Sequence, residues 1–176
     1  MNLINQKYIV ELGGIAAIVA SLVFVGLELR QSQEIAIAAQ YQERSNSGTE
    51  FMYNRLESKS ELLVHAERLN SRGWPAGFLS DKDKIWLESH SPLEWAEADT
   101  WGVISLFIFD NYHFQYQSGY LNEEAWQSIR SRLRGFVANS LFIRNRIVNL
   151  GDRWRASFVE LCLEMIEEAE SENSSD

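Results

Sequence analysis

ELGGIAAIVASLVFVGLELR, Glu11 to Arg30, is the stretch on which the fold turns. Sixteen consecutive residues between Glu11 and Glu28 carry no charge, which is about 24 Å of helix at ~1.5 Å per residue. Extended to Tyr8–Leu29, the segment reaches about 33 Å, enough for a hydrocarbon core of about 30 Å. Its apolar residues surround the helix on every side and form no single stripe, as expected where lipid is the solvent. Small residues recur at helical spacing: Gly13, Ala17 and Ser21 every four positions, and Ala16 with Ala20 beside them. Such a face lets a second helix approach closely, so helix–helix contact in the membrane is expected there.

The flanks bear on orientation. A cleaved signal peptide fits poorly, because Lys7 is the sole basic residue before the apolar run and polar LELRQSQE precedes the small-residue segment AIAAQ. Arg30 and Arg44 follow the segment, and by the positive-inside tendency the bulk of the chain is expected in the cytoplasm. Glu11 and Glu28 sit at the two ends, where they would be interfacial or, in an oligomer, line a pore.

Beyond the segment the sequence reads as a chain of helices. Only Pro75 and Pro92 interrupt its 176 residues, which favours helices over strands. One long helix is expected over 31–70, with a break or kink at NSGT, Asn46–Thr49. SRGWPAG, Ser71–Gly77, is a loop around Trp74. Ser80 caps a short helix, with Asp81 and Asp83 in its first turn. A strongly apolar helix is expected over 93–117, ended by Gly119 as a left-handed cap. Asn122 starts the next, Ser140 caps another that Gly151 stops, and a last helix runs over 154–169. The expected architecture is all-α: a transmembrane helix and short arm over 1–30, a helical-bundle domain over 31–170, and a disordered acidic tail over 171–176.

Composition narrows the function. A net charge of −9 sets the chain against nucleic acid as a partner. Six Trp, nine Phe and six Tyr supply an aromatic core. The single cysteine, Cys162, lies in VELCLEMI and reads as a small buried apolar residue. Seven arginines fall between Arg130 and Arg155 against one acid, Asp152, while the chain after Arg155 carries acids and no base. The arginines are read as lying near the acidic last helix or facing water; the alternative is a patch for lipid headgroups or an acidic partner.

Few residues suggest chemistry. Asp110 and His113 in FDNYHFQYQ stand three apart, so both project from one helical face like half of a di-metal site. A full site needs further pairs, and His65 and His90 have none at matching spacing, so no metal or cofactor is expected. Asp110, Asn111 and Gln115 read instead as a buried polar cluster, with Asn111 and Gln115 as an amide pair. No P-loop, Rossmann glycine pattern, G-x-S-x-G or H-E-x-x-H occurs.

Two phrases together carry a likeness: Leu27 to Gln31 closing the apolar helix, then Asp110, Asn111, Gln115, Gly119 and Trp126. The chain resembles a widespread, uncharacterised family of small bacterial proteins with an N-terminal hydrophobic helix and a helical domain. It departs from that family at SHSP, Ser89–Pro92, and at IVN, Ile147–Asn149. The resemblance implies a single-pass or membrane-associated bacterial protein with no assigned activity. The residues and the likeness together predict a self-associating, membrane-anchored scaffold or accessory subunit, with no catalytic constellation visible in the sequence, whose partners are the lipid bilayer and a second copy or another membrane protein. The alternatives are a small homo-oligomeric channel and a soluble bundle that binds a metal or apolar ligand.

Overall fold

The computed structural model describes residues 3–173, which among them form seven α-helices and no strand. The chain divides into two units, Met1–Tyr41 and Gln42–Asp176, so the boundary falls later than the end of the apolar segment. Helix α1, Leu3–Glu57, contains all of the described first unit and the start of the second. The remaining helices are α2 (Lys59–Arg72), α3 (Asp81–Ser89), α4 (Pro92–Gln117), α5 (Glu123–Asn139), α6 (Leu141–Leu150) and α7 (Ala156–Asn173). A single 3-10 turn, Gly151–Arg153, joins α6 to the last helix. Of the predicted tail, 171–173 belong to α7, and 174–176 lie outside the described residues.

In the first unit, α1 is long and apolar enough to cross a membrane. An 18-residue window within Glu11–Glu57 has a mean hydropathy of 2.2, and none of it is buried.

The second unit is organised around α4. This helix buries Ala96, Val103, Ile104, Leu106 and Phe109 together with Asp99, Asp110, Asn111 and His113. Leu106 and Phe109 join Leu133 and Val137 of α5, Ile143 and Ile147 of α6, and Phe158, Cys162 and Met165 of α7 in the main core. On another side Ala96 packs with Leu62 and Ala66 of α2. A third cluster sets Leu87 of α3 against Leu141 and Phe142 of α6, with Trp74, Phe78 and Trp86 packed around it. Gly102 makes the α4–α6 approach close: a Cβ there would lie 3.2 Å from Ile143 Cγ1.

Local signals account for most helix ends. Ser80 accepts from the Asp83 amide and Asp83 reaches back to the Ser80 amide, a reciprocal box that satisfies two orphan donors. Ser91 and Glu94 repeat the device at the start of α4. At its end Gly119 adopts φ +78°, and Tyr120 N donates to Gln115 O while Gly119 N donates to Tyr116 O. That is a Schellman closure, and it requires a residue at ease in the left-handed region. Asn122 and Ser140 cap α5 and α6 as the sequence predicts.

The predicted break at Asn46–Thr49 does not occur: α1 runs through it. Its small residues serve packing instead. Ser45 Oγ donates to Phe107 O at 3.0 Å, and a Cβ on Gly48 would fall 2.7 Å from the Phe107 ring. The helix ends at Glu57, and Ser58 turns the chain into α2 with extended backbone, accepting from the Glu61 amide.

Candidate functional site

Three features of the chain bear on function, and each is built from a different chemistry. The first is the apolar surface of α1. Leu12, Ile15, Ile18, Val19, Leu22, Val23, Phe24, Val25, Leu27 and Leu29 are all exposed, each by 45% or more. Soluble monomers rarely leave contiguous apolar patches beyond a few hundred Å² uncovered. Within the same surface Gly13, Ala17 and Ser21, with Ala16 and Ala20, are exposed, and a Cβ at Gly13, Gly14 or Gly26 would meet nothing within 4 Å. Glu11 and Glu28 are likewise exposed and stand about 25 Å apart along the axis, at opposite ends of the uncharged run.

The second is the centre around Asp110 and His113. The carboxylate of Asp110 is occupied by a cation of the chain itself: Arg155 Nε donates to Oδ1 at 2.9 Å, and Nη2 donates to the Asp110 carbonyl at 2.8 Å. The same guanidinium reaches Gln117 Oε1 at 2.9 Å and His113 Nδ1 at 3.4 Å, and lies over the Phe114 ring. His113 is stacked on Trp126 and close to Phe158. Burial, reinforced by the Arg155 charge, pushes its imidazole down to about 4, so it is neutral at pH 7. The centre is therefore a clamp between α4 and the segment that leads into α7, with a guanidinium where a metal would need to sit. Among the described residues no three His, Cys, Asp or Glu side chains converge as metal ligands would. Asn111 donates to Gln42 Oε1 at 2.7 Å, so its amide partner is on α1 and not Gln115. Cys162 is fully buried, and desolvation, followed by the nearby Asp110 charge, pushes its thiol up to about 12. It is not a nucleophile at neutral pH.

The third is a centre that spacing alone does not reveal. Asp99, only 1% exposed, sits on α4 between His65 of α2 and Arg146 of α6. His65 Nε2 donates to Oδ2 at 2.8 Å, Arg146 Nε donates to Oδ1 at 3.0 Å, and Arg146 Nη2 completes a two-pronged bond to Oδ2. Burial alone would raise the Asp99 carboxyl. The bonds from His65 and Arg146, with their charge, more than offset it and hold the group below the ordinary carboxylate range. Arg144 makes a parallel pair: Nη2 donates to Asp83 Oδ2 at 2.6 Å and Nη1 to Ala138 O at 3.1 Å, tying α6 to α3 and to the end of α5. On the exterior Arg134 pairs with Glu168 and Glu172 of α7. Four of the seven clustered arginines are thus matched with acids, one by the acidic last helix and three by aspartates of α3 and α4.

Beside the Asp99 centre the second unit forms a half-open cavity of about 450 Å³. His65 and Arg146 line it, together with Arg55, Arg68, Arg72 and Arg153, and among the described residues no acidic side chain does. Leu69, Val103, Phe107 and Trp154 form its apolar walls. The sequence signal was divided among four segments, so arginine counting along the chain does not find it. No family model, curated protein or solved structure matches this chain.

Proposed function

We propose that the protein is a single-pass, membrane-anchored helical scaffold or accessory subunit, with the apolar run of α1, within residues 11–30, in the bilayer and the helical domain in the cytoplasm. The observation that supports this reading is the row of ten large apolar side chains between Leu12 and Leu29, all exposed and uninterrupted by charge until Glu28. Each such side chain is worth about 1.5–3 kcal/mol when taken fully out of water. A helix also carries its backbone hydrogen bonds with it into lipid. The cytoplasmic orientation follows from Arg30 and Arg44 after the segment against Lys7 before it.

A non-catalytic role is supported by the way the buried polar groups are used. Asp83, Asp99 and Asp110 are each bound by an arginine that joins two elements of the fold, and the buried thiol is held protonated. Self-association runs through the face of Gly13, Ala17 and Ser21, where small side chains let two copies of α1 come close.

The test is fractionation of the full-length chain, expressed at modest level. Retention in the membrane pellet through an alkaline carbonate wash is the expected result. Release as a soluble, monodisperse protein overturns the reading. In detergent, Gly13→Leu with Ala17→Leu is expected to shift the chain from oligomer to monomer on cross-linking. An unchanged oligomer removes this face as the contact.

A further inference from the structure

We propose that the cavity beside Asp99 is a binding site for a phosphate ester. The inference rests on the second unit alone and holds whether or not α1 lies in a membrane. Five arginines line the cavity, from α1, α2, α6 and the 3-10 turn: Arg55, Arg68, Arg72, Arg146 and Arg153. Arg146 is neutralised by Asp99. Among the described residues Arg55, Arg68, Arg72 and Arg153 have no carboxylate within 4 Å, although an adjoining pocket shares Arg55, His65 and Arg68 and is lined by Glu61 as well. Four like charges around one hollow repel one another. They are held there by a chain that is acidic overall, at −9, and whose other clustered arginines are largely matched with acids.

The chemistry of the lining selects the ligand. Guanidinium forks bind carboxylate and phosphate in pairs of parallel hydrogen bonds. One carboxylate brings a single charge and two oxygens, too little for four unmatched forks. A phosphate monoester brings nearly two charges and three free oxygens. The volume exceeds the needs of bare phosphate and falls within the range of small-molecule sites, roughly 300–1,000 Å³. Leu69, Val103, Phe107 and Trp154 offer an apolar wall for the organic part.

Two sources share this chemistry: a soluble phosphate ester and the monoester headgroup of a lipid. The experiment uses the full-length chain in phosphatidylcholine nanodiscs, titrated calorimetrically with phenyl phosphate and, separately, reconstituted with phosphatidic acid and followed by thermal unfolding. Arg68→Gln with Arg72→Gln serves as the variant, since both side chains are exposed and their loss leaves the core intact. Saturable binding of phenyl phosphate, weakened about tenfold or more in the variant, supports a soluble ligand. Stabilisation by phosphatidic acid alone, lost in the variant, supports a headgroup. The proposal is overturned if neither probe acts on the wild-type chain, if the variant responds equally, or if sodium sulfate at matched ionic strength has the same effect.

Discussion

Arg146 Nε donates to Asp99 Oδ1 at 3.0 Å across 47 positions of chain, and so joins α6 to α4 at a carboxylate only 1% exposed. Removing one partner of such a pair costs more than the pair itself contributes, because the other is left charged without a counter-ion. Asp99→Leu is expected to destabilise the domain by about 3–5 kcal/mol. Adding Arg146→Met restores neutrality and is expected to recover most of that loss. Urea unfolding of the full chain in detergent, followed by tryptophan fluorescence, measures both. Equal midpoints for the single and double variants would show that charge pairing is not what Asp99 contributes.

His113 sets the response to mild acid. Its folded value of about 4 lies below the ordinary 6.5, so between those values the unfolded chain binds a proton that the folded chain refuses. Stability is then complete above pH 6.5 and falls as the pH drops toward 4, by roughly 3 kcal/mol in all. The Asp99 carboxyl is held below its ordinary value of 3.8, so it adds to the loss only at the acid end of this window, where the unfolded carboxyl begins to take up a proton. His113→Phe keeps an aromatic ring against Trp126 and is expected to flatten the profile between pH 6.5 and 4.5. A variant that loses stability as steeply as the parent would assign the effect to other groups.

Gly48 marks a close approach of α1 to α4 in the second unit. A Cβ there would lie 2.7 Å from the Phe107 ring, so Gly48→Leu forces the ring and its neighbour Trp154 to shift. The expected cost is about 1–3 kcal/mol. Gly48→Leu combined with Phe107→Ala is expected to recover part of it, because the truncated ring leaves room. Thermal unfolding of the three variants provides the comparison, and no recovery in the double variant would contradict the contact.

The helix ends of the second unit were legible because their causes are local. Ser80 with Asp83, Asn122, Ser140 and Gly119 each act within a few residues, through a side-chain cap or a glycine in the left-handed region. The apolar run of α1 was legible for the same reason. Ser45 and Gly48 were misleading, since a small polar run reads as a breaker when the partner that exploits its smallness, Phe107, is far away in sequence. The polar centres were hidden by distance as well. Asp83, Asp99 and Asp110 find their arginines 61, 47 and 45 positions away, spacings that no periodicity encodes. Asp110 and His113 do share a face of α4, but what that face meets is Arg155.

The central claim, that the apolar run of α1 lies in a bilayer, is tested most directly at Leu22, in the middle of the uncharged run and 67% exposed. Leu22→Cys, labelled with the fluorophore NBD, places a reporter there; native Cys162 is buried and its thiol is pushed up to about 12, so it stays unlabelled. In liposomes the account predicts blue-shifted emission, quenched by nitroxides deep on the lipid chains and not by aqueous iodide. Emission as in water, quenched by iodide and indifferent to the lipid nitroxides, would contradict it.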